Sequence, residues 1–170
     1  MLQKCSLWKV LSVFFKEPTN IHFIKEIGKE IDLAPTSVRN HVKELLKENL
    51  IKKKKAAPFD GFVANRENPD FIFYKRIYNL YSIKGLNEFI VSECYPKAMI
   101  LFGSYSLGED VESSDIDIVL LSKTEKLIDV KKFEKELERS VNIMWVESLN
   151  DLDNSIQKKV TNGIILHGGI

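Results

Sequence analysis

The sequence predicts a protein of mixed α/β (α+β) class, in which a helical N-terminal part precedes a part where strands and helices alternate. Two observations favour this class. Up to Leu46, apolar residues recur at the three- and four-residue spacing of amphipathic helices. Further along, the apolar runs 97–102, 116–121 and 141–146 are typical of buried strands, and a turn and a helical pattern separate them.

Two domains are expected from this order, residues 1–82 and residues 83–170, with a linking helix at about 83–94. The 170 residues, 44% of them hydrophobic, are enough to bury a core in each. No apolar run approaches the roughly 18 to 20 residues that span a bilayer, and the first residues lack a secretory signal pattern. We therefore expect a cytoplasmic protein with no membrane partner.

The distribution of charge and the two cysteines indicate which kinds of partner and site to expect. Residues 1–82 hold 15 Lys and Arg against 9 Asp and Glu, a balance of +6, whereas residues 83–170 hold 10 against 15, a balance of −5. A basic half favours a module that binds a polyanion, and a solvated surface of mixed charge is the alternative. Cys5 and Cys94 have no CxxC or His-rich neighbours, so neither a disulfide nor a zinc site is indicated.

Three helices are predicted in the basic half. Residues 6–15 carry one apolar stripe, and Pro18 ends that helix. A second helical pattern ends at Ile31, and a third begins near Pro35. Only the three residues 32–34 separate the second helix from the third. Two short helices joined by a tight turn are the arrangement of a helix-turn-helix.

A β-hairpin is expected after the third helix. In KKKKAAPFDGFVANRENPDFIFYKRIYNLY, the residues Pro58, Gly61 and Asn68-Pro69 mark a loop between two β-prone stretches. With this hairpin, the stretch SVRNHVKELLKENLIKKKK resembles the winged helix-turn-helix domains of small prokaryotic regulators. The resemblance covers roughly residues 2–82 and is one of pattern and element order.

The resemblance implies that the third helix enters the major groove of duplex DNA while Val38, Val42 and Leu45 pack inward. The residues expected to contact DNA are Thr36, Ser37, Arg39, Asn40, Lys43, Lys52, Lys53, Lys54 and Lys55. The run of lysines can equally be a solvated strand edge that prevents aggregation. Winged helices also serve as dimerisation or protein-docking modules, and a homodimer is expected here.

The acidic half contains a turn suited to an anionic ligand. Gly103 follows a hydrophobic strand, and its freedom of conformation lets backbone N–H groups and the Ser104 hydroxyl approach a phosphate. Asp115 and Asp117 follow, two residues apart on the next strand, so both project from the same face. Two carboxylates on one rigid strand can bind Mg²⁺ together with substrate phosphates, which is phosphoryl-transfer chemistry. A surface strand with alternating acids is the structural alternative.

Gly103-Ser104, then Gly108, then Ser114-Asp115-Ile116-Asp117 resembles the signature of the DNA polymerase β superfamily of nucleotidyltransferases, in its minimal-nucleotidyltransferase branch. This resemblance spans about residues 83–170. It implies a small mixed sheet flanked by helices, and transfer of a nucleotidyl group from a nucleoside triphosphate such as ATP to an acceptor hydroxyl. It also implies that Gly103, Ser104 and Ser114 bind the nucleotide and that Asp115 and Asp117 bind Mg²⁺ or Mn²⁺.

Two positions depart from the family pattern. Leu107 stands where the pattern usually has an arginine, and Asn142 stands where a third catalytic carboxylate is expected. An amide cannot take a proton near neutral pH or supply negative charge. Glu147 lies five residues further along, on the opposite strand face. The loop acids Glu109, Asp110 and Glu112 could reach the site, although acids in a loop are mostly solvated.

Three functions follow from the sequence. The first is a nucleotidyltransferase with a DNA-binding winged helix, which modifies a protein or nucleic-acid acceptor. The second is a catalytically impaired nucleotide sensor that regulates transcription through the winged helix, and Asn142 favours it. The third is an interaction scaffold whose two halves attract partners of opposite charge.

Overall fold

The computed structural model describes residues 5–169 as two compact units, one ending at Lys75 and the other beginning at Arg76. Residues 1–4 and 170, which the predicted domains include, lie outside the described range. The division falls inside a helix, seven residues before the predicted boundary at 82/83. Among residues 5–169, no helix is both long and apolar enough to cross a membrane.

Between residues 5 and 75, the first unit contains three complete helices, a two-stranded antiparallel hairpin and the start of a fourth helix. The elements are α1 (Ser6–Lys16), α2 (Ile24–Glu30), α3 (Pro35–Lys47), β1 (Ile51–Lys54) and β2 (Gly61–Ala64). Pro35 begins α3, where its fixed φ suits the first helical turn and its missing N–H costs no hydrogen bond. Val38, Val42 and Leu45 of α3 are buried as the helical spacing predicts.

The hairpin is shorter than predicted, and the residues after it are helical. Strand β1 pairs with β2 from Ile51↔Ala64 to Lys54↔Gly61. The β-prone stretch after Asn68-Pro69 instead forms helix α4 (Pro69–Ser82). Its buried residues are Phe71, Lys75 and Asn79, at intervals of four. Aromatic and β-branched residues raised the strand propensity of this stretch, but burial at helical spacing overrides that preference.

The second unit is a four-stranded sheet with helices on both faces. Its elements are α5 (Lys84–Cys94), β3 (Ala98–Phe102), α6 (Gly103–Leu107), β4 (Ile116–Leu121), α7 (Lys131–Leu137), β5 (Val141–Val146), a 3-10 helix (Leu149–Asp151), α8 (Asn154–Thr161) and β6 (Ile164–Gly168). The predicted strands at 116–121 and 141–146 are confirmed to the residue. The apolar C-terminal end is a fourth strand, β6.

The strand order in this sheet is β5-β4-β3-β6. Strand β3 pairs antiparallel with both β4 and β6, whereas β4 pairs parallel with β5. In these registers Phe102 lies opposite Asp117, and Asp117 lies opposite Asn142. The pairing therefore places the acidic positions of β4 between the end of β3 and the start of β5.

Each face of the sheet has its own apolar core, because side chains alternate along every strand. The core of the first face includes Ile83, Leu86, Ile90, Met99, Leu101, Ile116, Ile118 and Leu120. The core of the second face includes Ala98, Ile100, Phe102, Val119, Leu121, Leu152 and Val160. Helices α5 and α7 contribute to the first core, and α8 contributes Ile156 and Val160 to the second.

The alternation assigns the polar residues to a face. Asp115 and Asp117 share the parity of Val119 and Leu121, and Asn142 shares that of Met144, so all three project toward the second face. This is the face that α8 covers. The acids of β4 and the helix near the C-terminus are thus placed on one side of the sheet although about 40 residues separate them in the chain.

Gly163 lets the end of α8 approach strand β3. A Cβ atom at this position would lie 2.6 Å from the carbonyl oxygen of Leu101, 2.9 Å from Cγ2 of Ile100 and 2.9 Å from the carbonyl oxygen of Val160. Two of these atoms belong to the backbone and cannot move aside without displacing the sheet or the helix. The close packing of α8 on β3 therefore requires glycine at residue 163.

Replacing Gly163 with alanine should lower the free energy of unfolding by about 1–3 kcal/mol, the usual cost of overpacking. Urea unfolding followed by circular dichroism measures this loss. Gly169→Ala is the matched control, because a Cβ there has no atom within 4 Å. An equal stability for the two variants would contradict the close packing described for Gly163.

Candidate functional site

Two carboxylates and one amide meet at the edge of the second sheet face. The Nδ2 atom of Asn142 lies 3.2 Å from Oδ2 of Asp115 and 3.2 Å from Oδ1 of Asp117. One amide group therefore donates to both acids. Asp115 and Asn142 are exposed, and Asp117 is half-buried. The predicted pairing of the two acids on one face is confirmed, and the structure adds an amide donor between them.

The second carboxylate lies directly against the turn after β3. Gly103 has φ +74°, a left-handed conformation that side chains disfavour. A Cβ atom at Gly103 would lie 2.7 Å from Oδ2 of Asp117. Glycine is thus required here twice, by the backbone conformation and by the space that the carboxylate takes. The Gly103 turn and the Asp117 carboxylate are therefore adjacent.

Helix α6 keeps the turn compact. It has only five residues and ends at Gly108, which also has a left-handed conformation. The Ser106 hydroxyl donates to the Gly103 carbonyl oxygen at 2.8 Å, while Ser104 is half-buried and next to Gly103. The Ser114 hydroxyl oxygen accepts from the backbone N–H of Val111 at 2.9 Å. In this structure Ser114 therefore closes the loop before β4.

A buried network of polar side chains hydrogen-bonds to α6. The sequence did not reveal this network. The Asn79 amide donates at 2.8 Å both to the Tyr105 carbonyl oxygen and to Oδ1 of Asp110. The Tyr105 phenol and the Ser82 hydroxyl lie 2.8 Å apart, and burial raises the pKa of that phenol well above its ordinary value. The expectation that Asp110 is solvated is wrong, since it is 1% exposed.

A cleft opens beside the turn. Its volume is about 330 Å³, and its lining includes Gly103 and Ser104 on one side and Lys158, Lys159 and Asn162 of the α8 end on the other. Sequence reasoning missed both lysines. The only local signal was a basic last turn in a predicted helix, and such residues are common there because they interact favourably with the helix dipole.

The donor set fits a divalent cation. Carboxylate oxygens are the ligands that Mg²⁺ prefers, and the Asn142 side chain would offer its carbonyl oxygen if the amide turned over. Within residues 5–169, no group of three or more His, Cys, Asp and Glu side chains is arranged to hold a metal ion. Glu147 is exposed and follows the end of β5. Asp115, Asp117 and Asn142 are therefore the side chains that could hold a cation at this edge of the sheet.

The residues expected to contact DNA lie on the first unit. Thr36, Arg39, Asn40 and Lys43 are exposed on α3, and Ser37 is half-buried. The lysines 52–55 are exposed along β1 and just after it. Lys52 donates to Glu67 at 2.6 Å, and this hydrogen bond holds the pKa of the Glu67 carboxyl below its ordinary value.

The family model described as Polymerase beta, Nucleotidyltransferase matches residues 84–168, which is half of the chain. The chain therefore belongs to the polymerase beta nucleotidyltransferase family. This confirms the superfamily expected from Gly103-Ser104 and the two aspartates. No curated protein and no solved structure is significantly similar to the chain.

Proposed function

We propose that the second unit binds a nucleoside triphosphate with a divalent cation and transfers its nucleotidyl group to an acceptor hydroxyl on a protein or nucleic acid. One observation carries this proposal: two carboxylates share one side of the sheet, and that of Asp117 lies against the left-handed Gly103 turn, in a chain of the polymerase beta family. An acidic pair alone repels and gains little, so its place beside this turn favours a metal-nucleotide complex.

In this proposal each group of the site has a separate task. Asp115 and Asp117 would hold a cation, and the backbone N–H groups at Gly103 and Ser104 bind phosphate oxygens. A cation held there would neutralise charge that develops on the phosphates. The acceptor oxygen attacks the α-phosphorus and a new P–O bond forms, while the bond to the bridging oxygen breaks and pyrophosphate leaves. The acceptor proton passes to water, since the Asn142 amide cannot take it.

Nucleotide sensing without transfer is the second candidate, and the position of Asn142 favours it. Its amide donates to both acids at 3.2 Å and supplies no negative charge. We propose that Asn142 occupies the position of the third carboxylate of related enzymes. A chain with this residue would bind metal and nucleotide through Asp115 and Asp117 and would turn over slowly, because general base catalysis typically contributes 10²–10⁴-fold.

Calorimetry with ATP tests the nucleotide site. We expect binding in the presence of Mg²⁺ and little binding with excess chelator. Asp115→Asn and Asp117→Asn should each weaken Mg-ATP binding at least about tenfold, because each removes a charged ligand of the cation.

Asp129→Asn is the matched control, since Asp129 is exposed and accepts from the backbone N–H of Lys131. That variant should bind Mg-ATP as the unmodified chain does. Binding that is independent of Mg²⁺, or unchanged in both site variants, would overturn the proposed site.

The variant Asn142→Asp separates the enzyme from the sensor. Restoring a carboxylate opposite Asp117 should raise pyrophosphate release by about 10²-fold if the missing base limits the rate. The release is measured with ATP and with each other triphosphate, using cell extract as the source of acceptor. Asn150→Asp is the control for the added charge, and it should not change the rate. Turnover absent from both the unmodified chain and Asn142→Asp would favour the sensor.

We also propose that the first unit binds duplex DNA as a winged helix. Three features support this proposal: the exposed polar face of α3, the hairpin that follows it and the exposed lysines after Lys52. The buried positions Val38, Val42 and Leu45 leave Arg39 and Lys43 on the outward face of the helix. Such a surface binds phosphates with release of counterions, and it can present side chains to base edges.

DNA binding is measured by fluorescence anisotropy with a labelled duplex of mixed sequence. Affinity should fall steeply as salt rises, because each phosphate contact releases counterions. Arg39→Ala with Lys43→Ala should weaken binding at low salt at least about tenfold. Lys135→Ala, at an exposed residue of α7, is the control for lost positive charge. No binding at low salt would defeat the DNA hypothesis.

A further inference from the structure

We propose that Lys158 and Lys159 bind the terminal phosphates of the triphosphate, so that α8 forms the cationic wall of the nucleotide site. This inference rests on the proposed function of the acidic pair. Both lysines line the cleft that also contains Gly103 and Ser104. The cleft is thus bounded by the phosphate-binding turn on one side and by two positive charges on the other.

The sheet explains why α8 reaches this cleft. Ile156 and Val160 pack on the second face, which is the face from which Asp115 and Asp117 project. Gly163 then allows the helix end to lie against the carbonyl oxygen of Leu101 in β3. Gly103 is the residue directly after β3. The C-terminal end of α8 is therefore brought to the same end of the sheet as the Gly103 turn.

A side-chain hydrogen bond closes the end of α8, where the lysines lie. Asn162 donates its side-chain amide to the Lys158 carbonyl oxygen at 3.0 Å and so satisfies one of the free carbonyls there. Lys158 and Lys159 are exposed, whereas Val160 is buried. Interaction with the helix dipole would explain basic residues in this turn. It does not explain why they line a cleft shared with Gly103.

The charge of the cleft favours a polyanion. Its charged lining residues are the two lysines and Glu109, while Leu107 contributes an apolar side chain. The acidic pair and a bound cation would hold the phosphates near Gly103, because Oδ2 of Asp117 lies at that glycine. The remaining phosphates of the triphosphate would then extend into the cleft toward the lysines. The lysines should therefore matter most for nucleotides with several phosphates.

The double variant Lys158→Ala and Lys159→Ala tests this by calorimetry with Mg²⁺ and with ATP, ADP or AMP. We expect affinity for ATP to fall at least about tenfold, affinity for ADP to fall less, and affinity for AMP to stay within about twofold. Lys158→Arg with Lys159→Arg should retain most of the ATP affinity, since the positive charges remain. Glutamine at both positions keeps the side-chain length and should reproduce the alanine result.

Lys131→Ala with Lys132→Ala is the matched control, because these are also consecutive exposed lysines on a helix and they do not line this cleft. Unchanged ATP affinity in the alanine and glutamine variants would overturn the inference and leave the proposed function standing. Equal losses for ATP and AMP would also overturn it, since they would indicate a structural effect. Absence of Mg-ATP binding by the unmodified chain would overturn the proposed function itself.

Discussion

The site depends on holding two carboxylates of like charge close together on one rigid strand. Asp117 lies on β4 and Asp115 directly precedes that strand; both project to the same side, and their repulsion is relieved by a donor or a cation between them. In the structure the Asn142 amide donates to both at 3.2 Å. The Asn142 amide is therefore a neutral hydrogen-bonding partner for both charges.

A glycine turn and a buried hydrogen-bond network fix the residues around that pair. The left-handed Gly103 leaves room for the Asp117 carboxylate, and any larger residue would displace it. Behind the turn, Asn79 joins the Tyr105 carbonyl oxygen to Asp110 inside the protein. A buried charge without such a partner would be strongly destabilising. The turn therefore contacts a buried hydrogen-bonded network through Tyr105 and the acidic pair through Gly103.

The family match and the geometry support different parts of the functional argument. Membership of the polymerase beta nucleotidyltransferase family indicates nucleotidyl transfer as the chemistry. Asn142 sits opposite Asp117 in the parallel pairing of β4 and β5, and the proposed slow turnover rests on this position. The cleft beside Gly103 bears on which ligand is bound, since Lys158 and Lys159 line it. The family match does not include the first unit, whose exposed α3 is proposed to bind DNA.

The sequence by itself determined the strands at 116–121 and 141–146, the helices α1 to α3 and the acidic pair, because periodicity and local residue chemistry encode them. It predicted β structure where α4 forms, because aromatic residues raise the strand propensity there. Burial at four-residue intervals instead stabilises a helix. Only the tertiary structure decided the burial of Asp110, the amide bridge of Asn142 and the place of Lys158 and Lys159. Each of these depends on contacts between residues far apart in the chain, and no local pattern specifies which distant segments meet.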